Sequence, residues 1–400
     1  MRLHSPARPS KGLLSGLVVI SMLAIMIGSS LFAVHASIPV ITTTGVGKSP
    51  EGIAVNPRTG MVYVADYNDN NVTVINGTTN RAMANITVGD APDAVAVNPN
   101  TGMVYVVDSQ DNNVTVIDGT SSTNAVVANI TVGNVPDAVA VNPTTGLVYV
   151  LNYNDGSMSV ISGSTNTVLT TVPVGDAPDA VAVNPNTGMV YVVDNEDNNV
   201  SVISGSTNEI LKNVSVGDLP DAVAVNPMSG MVYVANSNDN SVSVVDGSTN
   251  RLLINVSVFA APDAIGVNPV TGSVYVANLN DSVLTTIDNF SNTVMKNAVI
   301  GNSPDAVAVD PNTGSVYVAN QADNSVSEIP GASNPTTSST TRTTPTTSTS
   351  PTSSTSSSTS SSSSSGGIPE FPPQLGLAAV VTGIIVATYV FARRASILRH

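Results

Sequence analysis

The sequence predicts an all-β fold, a seven-bladed β-propeller with four antiparallel strands in each blade. Seven copies of one phrase, of the form Pro-Asp-Ala-Val-Ala-Val-Asn-Pro, follow one another at steps of 42 or 44 residues. Each step contains four short β-rich runs separated by turn residues, which is the content of one propeller blade. A separate β-rich run precedes the first copy, and the last copy lacks its fourth run. The copies begin at Pro50, Pro92, Pro136, Pro178, Pro220, Pro262 and Pro304.

The repeat at 177–217 illustrates how the four strands are specified. Residues 179–184 alternate small and β-branched side chains, which predicts a first strand buried on both faces. Three further runs, rich in Val, Ile and Tyr, predict the remaining strands. Turns rich in Asn, Asp and Gly separate them. These strands are expected at 189–193, 200–203 and 210–216.

The two ends of the repeat region predict how the ring closes. The last repeat stops after its third strand at 325–329, and the run at 40–46 matches the phrase of the fourth strands. We therefore expect the N-terminal strand to complete the last blade. Such closure removes exposed strand edges, which otherwise promote aggregation.

Residues 1–36 have the pattern of a signal peptide. Basic residues without acidic ones precede an apolar run at 13–34, and small residues follow it. We expect cleavage after Ala36. The apolar run is long for a signal peptide, so an uncleaved membrane anchor is the alternative. The propeller is then expected to occupy 37–331, outside the cell membrane.

The C-terminal part of the chain predicts a stalk followed by a membrane helix. Residues 332–367 are almost entirely Ser, Thr and Pro, which cannot form a core and indicate a disordered, O-glycosylated stalk. Residues 368–400 contain a Pro-Glu-Phe motif, an apolar run at 375–392 and several arginines. The run can span a bilayer, and the arginines indicate its cytoplasmic side.

The repeat phrases resemble a known family of propellers. Val-Tyr-Val-Ala-Asn, at 232–236, 274–278 and 316–320, and the Pro-Asp-Ala-Val-Ala-Val-Asn-Pro phrase are similar to the repeats of YVTN-family β-propellers, which are akin to NHL repeats. The resemblance covers about three quarters of the chain and implies the propeller fold. The Gly that the family usually has in Pro-x-Gly is present only at Gly52, and Ala replaces it in the other copies.

The C-terminal segment resembles the PEF-CTERM sorting signal of archaeal surface proteins. This resemblance implies cleavage within the motif by an archaeosortase and transfer to a lipid anchor, whereas a plain membrane helix is the alternative. The two resemblances together imply an archaeal cell-surface or surface-layer-associated protein. The motif consists of Pro369, Glu370, Phe371 and Pro372.

The residue types of the propeller exclude several kinds of catalytic site. The histidines are His4, His35 and His400, and the chain has no Cys and no Trp. Residues 37–367 therefore cannot form a Ser-His-Asp triad, a Cys nucleophile or a His/Cys zinc site. Carboxylate chemistry remains, with or without a hard cation such as Ca²⁺.

The acidic residues are predicted to concentrate at one end of the propeller. This end carries the connections from fourth to first strands and from second to third strands, and we call it the acidic end. Of 27 acidic residues in the propeller, 21 fall on these connections. Such a field repels nucleic acid and attracts cations or basic partners. The opposite end is expected to hold Arg58, Arg81, Lys212, Arg251 and Lys296.

Seven of these acidic residues occupy equivalent positions at the start of the first strands, and we call them the ring acids. They are expected to surround the mouth of the central channel and could bind a cation, most plausibly Ca²⁺. The alternative is that each caps a local turn by accepting backbone N–H groups. The ring acids are Glu51, Asp93, Asp137, Asp179, Asp221, Asp263 and Asp305.

An aligned set of tyrosines in the second strands favours packing between blades over a stacking platform for ligands. The set consists of Tyr63, Tyr105, Tyr149, Tyr191, Tyr233, Tyr275 and Tyr317.

Ten Asn-x-Ser/Thr sequons are candidates for N-glycosylation, because the chain is predicted to be exported. Four of them fall at fourth strands, where glycans would cover the outer rim of the ring. The ten are Asn71, Asn76, Asn85, Asn113, Asn129, Asn199, Asn213, Asn255, Asn280 and Asn289.

These observations favour a cell-surface-anchored, glycosylated propeller that acts as a binding, adhesion or surface-layer-associated module for protein or glycan partners. A purely structural coat subunit has the same sequence features. The alternative is an extracellular enzyme, either a Ca²⁺-dependent lactonase-like hydrolase or a carboxylate-based glycan-acting enzyme. Its site would be expected in the least regular blades. These are the first, at Glu51 and Gly52, and the sixth, at Phe259, Ile265, Gly266 and the short turn 280–281.

Overall fold

The computed structural model describes residues 41–331, which form seven four-stranded antiparallel sheets. The all-β seven-bladed propeller predicted from the sequence is confirmed. The predicted leader with its cleavage after Ala36, the stalk, and the C-terminal segment with the motif Pro369 to Pro372 lie outside the described residues. Within 41–331, no helix has the length and apolar character needed to cross a bilayer.

The strands of each blade run outward from the central axis, in the order first to fourth. The first strands are β2 (Pro50–Asn56), β6 (Pro92–Val97), β10 (Pro136–Val141), β14 (Pro178–Val183), β18 (Pro220–Val225), β22 (Pro262–Val267) and β26 (Pro304–Val309). The second strands are β3 (Met61–Asp66), β7 (Met103–Asp108), β11 (Leu147–Asn152), β15 (Met189–Asp194), β19 (Met231–Asn236), β23 (Val274–Asn278) and β27 (Val316–Asn320).

The third and fourth strands form the outer half of each blade. The third strands are β4 (Asn71–Asn76), β8 (Asn113–Asp118), β12 (Ser157–Ser162), β16 (Asn199–Ser204), β20 (Ser241–Asp246), β24 (Val283–Asp288) and β28 (Ser325–Ile329). The fourth strands are β5 (Arg81–Thr87), β9 (Val126–Thr131), β13 (Thr167–Pro173), β17 (Ile210–Ser215), β21 (Arg251–Ser257), β25 (Thr293–Val299) and β1 (Thr42–Gly45). Short 3-10 turns occur at Tyr67–Asp69 and Tyr153–Asp155.

The core lies between neighbouring blades and is formed mainly by the second and third strands. In blade 4, all of β15 except Met189 is buried, whereas β14 is half-buried after Pro178. The prediction that the first strand is buried on both faces is therefore wrong. First strands line the channel around the axis, so they have neighbouring protein on fewer sides than second strands have.

The aligned tyrosines pack between blades, as predicted. The hydroxyl of Tyr63 donates to Asn124 Oδ1 of the next blade at 2.8 Å, and that of Tyr317 donates to Gly77 O at 3.2 Å. A Cβ on Gly119 would lie 2.8 Å from the Tyr63 hydroxyl. Glycine in the third-to-fourth turn thus leaves room for the tyrosine of the preceding blade. Burial raises the pKa of Tyr63 to about 12, so the phenol stays neutral.

The N-terminal strand closes the ring by pairing with the last third strand. In the β1–β28 pair, Thr42 lies opposite Glu328 and Gly45 lies opposite Ser325. Each first strand contacts the first strand of the next blade, and β26 contacts β2. The circle of first strands is therefore complete, as the sequence predicted.

Candidate functional site

The ring acids lie at the acidic end of the propeller, each at the second residue of a first strand. At each position the register between first and second strands shifts: Pro136 pairs with Asn152 and Ala138 with Leu151, which leaves Asp137 as the extra residue of a β-bulge. The same shift occurs in all seven blades. All seven side chains are half-buried. Bulges redirect side chains and are common beside functional sites.

The residue two positions before each ring acid has a left-handed backbone. Its φ lies between 48° and 55° in every blade, although none of the seven is glycine. For Val135, which is β-branched, this conformation is a steric outlier. Such conformations persist only where surrounding contacts enforce them. The seven residues are Ser49, Ala91, Val135, Ala177, Leu219, Ala261 and Ser303.

Side chains of the second-to-third connections enforce this conformation. Asp111 Oδ2 accepts the N–H of Asp90 at 2.9 Å, and Asn70 Oδ1 accepts the N–H of Ala91 at 3.0 Å. The two acceptors belong to adjacent blades, so each such loop joins its neighbours. The bond made by Asp111 recurs at Asp69, Asp155, Asp239, Asp281 and Asp323.

Turn capping by aspartate is therefore observed at the second-to-third connections. Turn capping by the ring acids themselves stays a prediction. The Asp-Asn sequence that recurs in these connections is the signal that could have identified the observed capping. Short polar side chains in such turns commonly accept backbone N–H groups.

The ring acids alternate with a set of chemically unlike residues, which we call the variable ring. Asn195 Nδ2 of blade 4 donates to Asp221 Oδ1 of blade 5 at 2.6 Å, and Gln321 Nε2 of blade 7 donates to Glu51 Oε1 of blade 1 at 3.0 Å. The variable ring is formed by the first residue after each second strand: Tyr67, Ser109, Tyr153, Asn195, Ser237, Leu279 and Gln321.

Tyr67 shows the electrostatic character of this end of the channel. Its pKa is raised, first by burial and further by the negative charges of Asp93 and Glu51. The phenol of blade 1 therefore lies within the field of two ring acids. The variable ring has no recognisable sequence pattern, because its members share a position in the repeat and no chemical type.

Three acidic residues that the sequence placed on exposed connections are buried. Asp66, Asp108 and Asp194 are the last residues of second strands and have no exposed surface. Their pKa values are raised to about 6, about 7 and about 6, mainly by burial, while hydrogen bonds from Thr73, Thr115 and Ser201 oppose the shift. They contribute less to the surface charge than predicted.

Basic residues are nearly absent from the acidic end in the described part of the chain. Lys48 forms an ion pair with Asp69 at 3.4 Å. Lys212 and Lys296 lie within fourth strands, and the ammonium group of Lys212 donates to Asn250 O in a third-to-fourth turn at the opposite end, as the sequence predicts. Arg58 lies in a first-to-second turn at the opposite end and donates from Nη1 to Asn100 O at 2.8 Å.

Within residues 41–331, no three His, Cys, Asp or Glu side chains lie close enough together to hold one metal ion. The Ca²⁺ ring at Glu51, Asp93, Asp137, Asp179, Asp221, Asp263 and Asp305 stays a prediction.

A pocket of about 200 Å³ lies at the acidic end of the sixth blade. It is formed by the second-to-third turn of that blade and the connection to blade 7. This short turn is in one of the two irregular blades in which the sequence predicts a site, if the protein is an enzyme. Its lining residues are Leu279, Asn280, Ser282, Asn302 and Ser303.

Comparisons with known proteins support the fold and a partial family match. The arylesterase family model matches residues 240–367, about a third of the chain. No curated protein matches. The hydrazine synthase of Kuenenia stuttgartiensis is similar in structure, with a TM-score of 0.64 and 16% identity over 72% of this chain and 96% of that chain. At this identity the likeness shows the fold alone, and the chain is a seven-bladed β-propeller whose C-terminal part is similar to the arylesterase family.

Proposed function

We propose that this propeller is a non-enzymatic binding module at the cell surface, and that its acidic end binds cationic groups of a basic protein partner. The observation that carries the proposal is the alternation of seven half-buried ring acids with the variable ring. Carboxylates attract ammonium and guanidinium groups, and the phenol rings of Tyr67 and Tyr153 can add cation–π contacts.

The near-equivalence of the blades favours binding over catalysis. A catalytic site needs unlike groups that meet at one point, such as a nucleophile, a base and an oxyanion donor. Here the same carboxylate recurs on the same bulge in every blade, with Glu51 as the one longer member. Repeated charge around a ring suits a partner with several cationic groups, while the variable ring supplies selectivity.

Binding of a lysine-rich peptide to the full-length chain tests the proposal. Calorimetry at low and high salt is expected to show saturable binding that weakens as salt screens the charges. Neutralising the seven ring acids to Asn or Gln is expected to reduce affinity by about 10-fold or more. Neutralising Asp90, Asp176, Asp218, Glu196 and Asp197, exposed acids of the same end, is the control and is expected to reduce it by less than about 3-fold. Equal losses in both variants would show that only the overall field matters.

The alternative proposal is a Ca²⁺-dependent lactonase-like hydrolase, and the arylesterase match at 240–367 is the observation that favours it. Calcium titration calorimetry with melting in the presence and absence of EDTA provides the first test. Saturable Ca²⁺ binding, a raised melting temperature and EDTA-sensitive hydrolysis of phenyl acetate or a simple lactone would favour the enzyme. If neutralising Asp263 and Asp305 left such hydrolysis unchanged, these two ring acids would have no part in it.

Surface display is part of the proposal and rests on the sequence of the two ends. The basic and apolar leader, the Ser/Thr-rich stalk and the resemblance to PEF-CTERM signals support export and anchoring in an archaeal cell. Mass spectrometry of the C-terminal peptide from purified protein tests the anchor. A chain ending near Pro369 to Pro372 supports sorting and lipid transfer, whereas an intact C-terminus supports a retained membrane helix.

A further inference from the structure

The outer rim of the propeller carries an exposed apolar side chain at the same point of six blades. The register between third and fourth strands shifts there: Val202 pairs with Lys212 and Ile203 with Ile210, which leaves Leu211 as the extra residue of a bulge. These side chains are 51 to 63% exposed. The six bulge residues are Met83, Val127, Leu169, Leu211, Leu253 and Met295.

These positions combine two features that promote association. The fourth strand is the free edge of each blade, and an open edge with apolar side chains is a template for pairing with another chain. Proteins commonly block such edges with charge, covering segments or modification. Only blades 4 and 6 place a lysine beside the bulge residue, at Lys212 and Lys296.

A sequon follows the bulge residue by two positions in four blades. The pairs are Met83 with Asn85, Val127 with Asn129, Leu211 with Asn213, and Leu253 with Asn255. Residues two apart on a strand lie about 7 Å from each other. All four asparagines are exposed.

The structure also orients the amide in one of these sequons. The hydroxyl of Ser243 accepts from Asn236 Nδ2 and donates to Asn255 Oδ1 at 2.9 Å. The third strand therefore holds the amide oxygen of Asn255, which directs Nδ2, the atom that carries an N-linked glycan, away from the blade.

Four of the other sequons are less accessible. Asn71, Asn113 and Asn199 begin third strands, are half-buried, and have a buried Oδ1. Asn76 is half-buried, and its Oδ1 accepts the N–H groups of Thr78 and Thr79.

Two sequons belong to the sixth blade. Asn289 is half-buried, and a Cβ on Gly272 would lie 2.6 Å from its Nδ2. Asn280 is exposed but lies in a turn that lines the pocket, away from any bulge residue. Only the four fourth-strand sequons combine exposure with an apolar neighbour.

We propose that Asn85, Asn129, Asn213 and Asn255 carry N-linked glycans, and that the first sugars lie over the adjacent bulge residues and cover the free edges of these blades. In this step Nδ2 forms a C–N bond to the anomeric carbon of a phosphate-linked glycosyl donor. The bond from that carbon to the phosphate oxygen breaks, the phosphate keeps the electron pair, and the proton from Nδ2 passes to a base. The inference rests on the export contained in the proposed function.

The sixth blade provides a natural control. Met295 is its bulge residue, and Asn297 follows by two positions, but Val299 stands where a sequon requires Ser or Thr. Val299 is 76% exposed, so Val299→Thr adds the missing hydroxyl without disturbing the core.

Peptide mass mapping of the full-length chain from an N-glycosylating host tests the assignment. We expect glycan on the four fourth-strand sequons, none on Asn71, Asn113 or Asn199, and a new glycan on Asn297 in Val299→Thr. Modification of the buried set without the fourth-strand set would overturn the proposal. So would unmodified chain from a host that glycosylates a control protein.

Producing the chain with two different signal peptides distinguishes a failure of export from a failure of glycosylation at the proposed sites. The chain is produced once with its own residues 1–36 and once with a signal peptide of the host. Glycan only with the host signal peptide supports the sites and contradicts native export. Absence of glycan with both, while Val299→Thr also stays unmodified, contradicts the sites.

The proposed covering of the bulge residues by sugars can be measured separately from glycosylation itself. Fluorescence of 1-anilinonaphthalene-8-sulfonate is expected to rise by about 2-fold or more in the variant with all four asparagines changed to Gln, because its bulge residues become accessible. Changing the four bulge residues to Ser in the same background is expected to abolish the rise. Equal dye binding with and without glycan would overturn this part of the proposal.

Discussion

Blades 1, 2 and 4 differ from blades 3, 5, 6 and 7 at one buried position, the last residue of the second strand. One blade of each group shows an equivalent backbone partner: Gly175 N–H donates to Asp194 Oδ1 at 3.0 Å, and Gly133 N–H donates to Asn152 Oδ1 at 2.9 Å. The first group has Asp66, Asp108 and Asp194, and the second has Asn152, Asn236, Asn278 and Asn320.

The hydrogen bonds on the other side of this residue reverse direction between the two groups. Asp66 Oδ2 accepts from the Thr73 hydroxyl at 2.6 Å, whereas Asn152 Nδ2 donates to the Ser157 and Ser159 hydroxyls at 3.0 Å. The position therefore requires a planar side chain with one inward oxygen, and a charge is not required. The blades with Asn show the same buried position occupied by an uncharged side chain.

The largest effect on stability is expected at the glycine that packs against this buried residue. Its position is equivalent in both groups of blades. A Cβ on Gly89 would lie 2.7 Å from the Asp108 carboxyl carbon, and one on Gly133 would lie 2.5 Å from the Asn152 side-chain carbon. Gly89→Ala and Gly133→Ala are each expected to lower the free energy of unfolding by about 3 kcal/mol, because the overlap forces the buried side chain off its partner. Urea unfolding measures both. A loss confined to Gly89→Ala would show that charge, not shape, controls the site.

The next effect concerns pH. The pKa of Asp108, raised to about 7, lies above that of the unfolded chain, so the folded state keeps a proton that the unfolded state releases. Its contribution to stability is present below about pH 4 and is lost as the pH rises through about 7. Asp108→Asn is therefore expected to raise the free energy of unfolding by about 2 kcal/mol at about pH 8 and to leave it unchanged at about pH 4.

Melting temperatures of the wild type and Asp108→Asn across this pH range measure the effect. Asp118→Asn is the control for simple loss of a charge, because Asp118 ends a third strand outside the buried core and its pKa is lowered by hydrogen bonds from Thr120. A gain in stability at acidic pH for Asp108→Asn would contradict the assignment.

A smaller effect is expected from the hydroxyl that contacts this residue. Thr73→Val removes the donor to Asp66 and is expected to cost about 1 to 2 kcal/mol, more at about pH 8, where Asp66 is ionised, than at about pH 5. Ser159→Ala in blade 3 is expected to cost about 1 kcal/mol at both pH values, because Asn152 does not titrate. Parallel pH profiles of the two variants would contradict the difference between the blade types.

The smallest effect is expected at the exposed ion pair of blade 1. The Lys48 side chain is 72% exposed and lies 3.4 Å from Asp69. Lys48→Met is expected to change the free energy of unfolding by less than about 0.5 kcal/mol, because solvent screens the pair. A loss of unfolding free energy greater than that of Thr73→Val would contradict this ranking. It would mean that the exposed ion pair contributes more to stability than the hydrogen bond to the buried Asp66.

Sequence patterns specified most of the fold and part of the candidate site. The repeat step, the run at 40–46 and the truncated last repeat were sufficient for the ring closure seen between β1 and β28. The packing of the aligned tyrosines between blades, which the sequence predicts, is confirmed. The burial of Asp66 was missed because it reads as the first polar residue of a turn. Only the register shows that it ends the buried second strand, opposite Asn71.

By itself, the sequence determined the architecture, the number of blades, the closure and the residue types available for chemistry. These follow from local patterns repeated at a constant step, and strand periodicity and turn residues are local properties. The tertiary structure decided which aspartates are buried, which hold the loops, and that Asn195 and Gln321 meet ring acids of adjacent blades. Such contacts depend on β-bulges and on the packing of one blade against the next, and no single repeat contains that information.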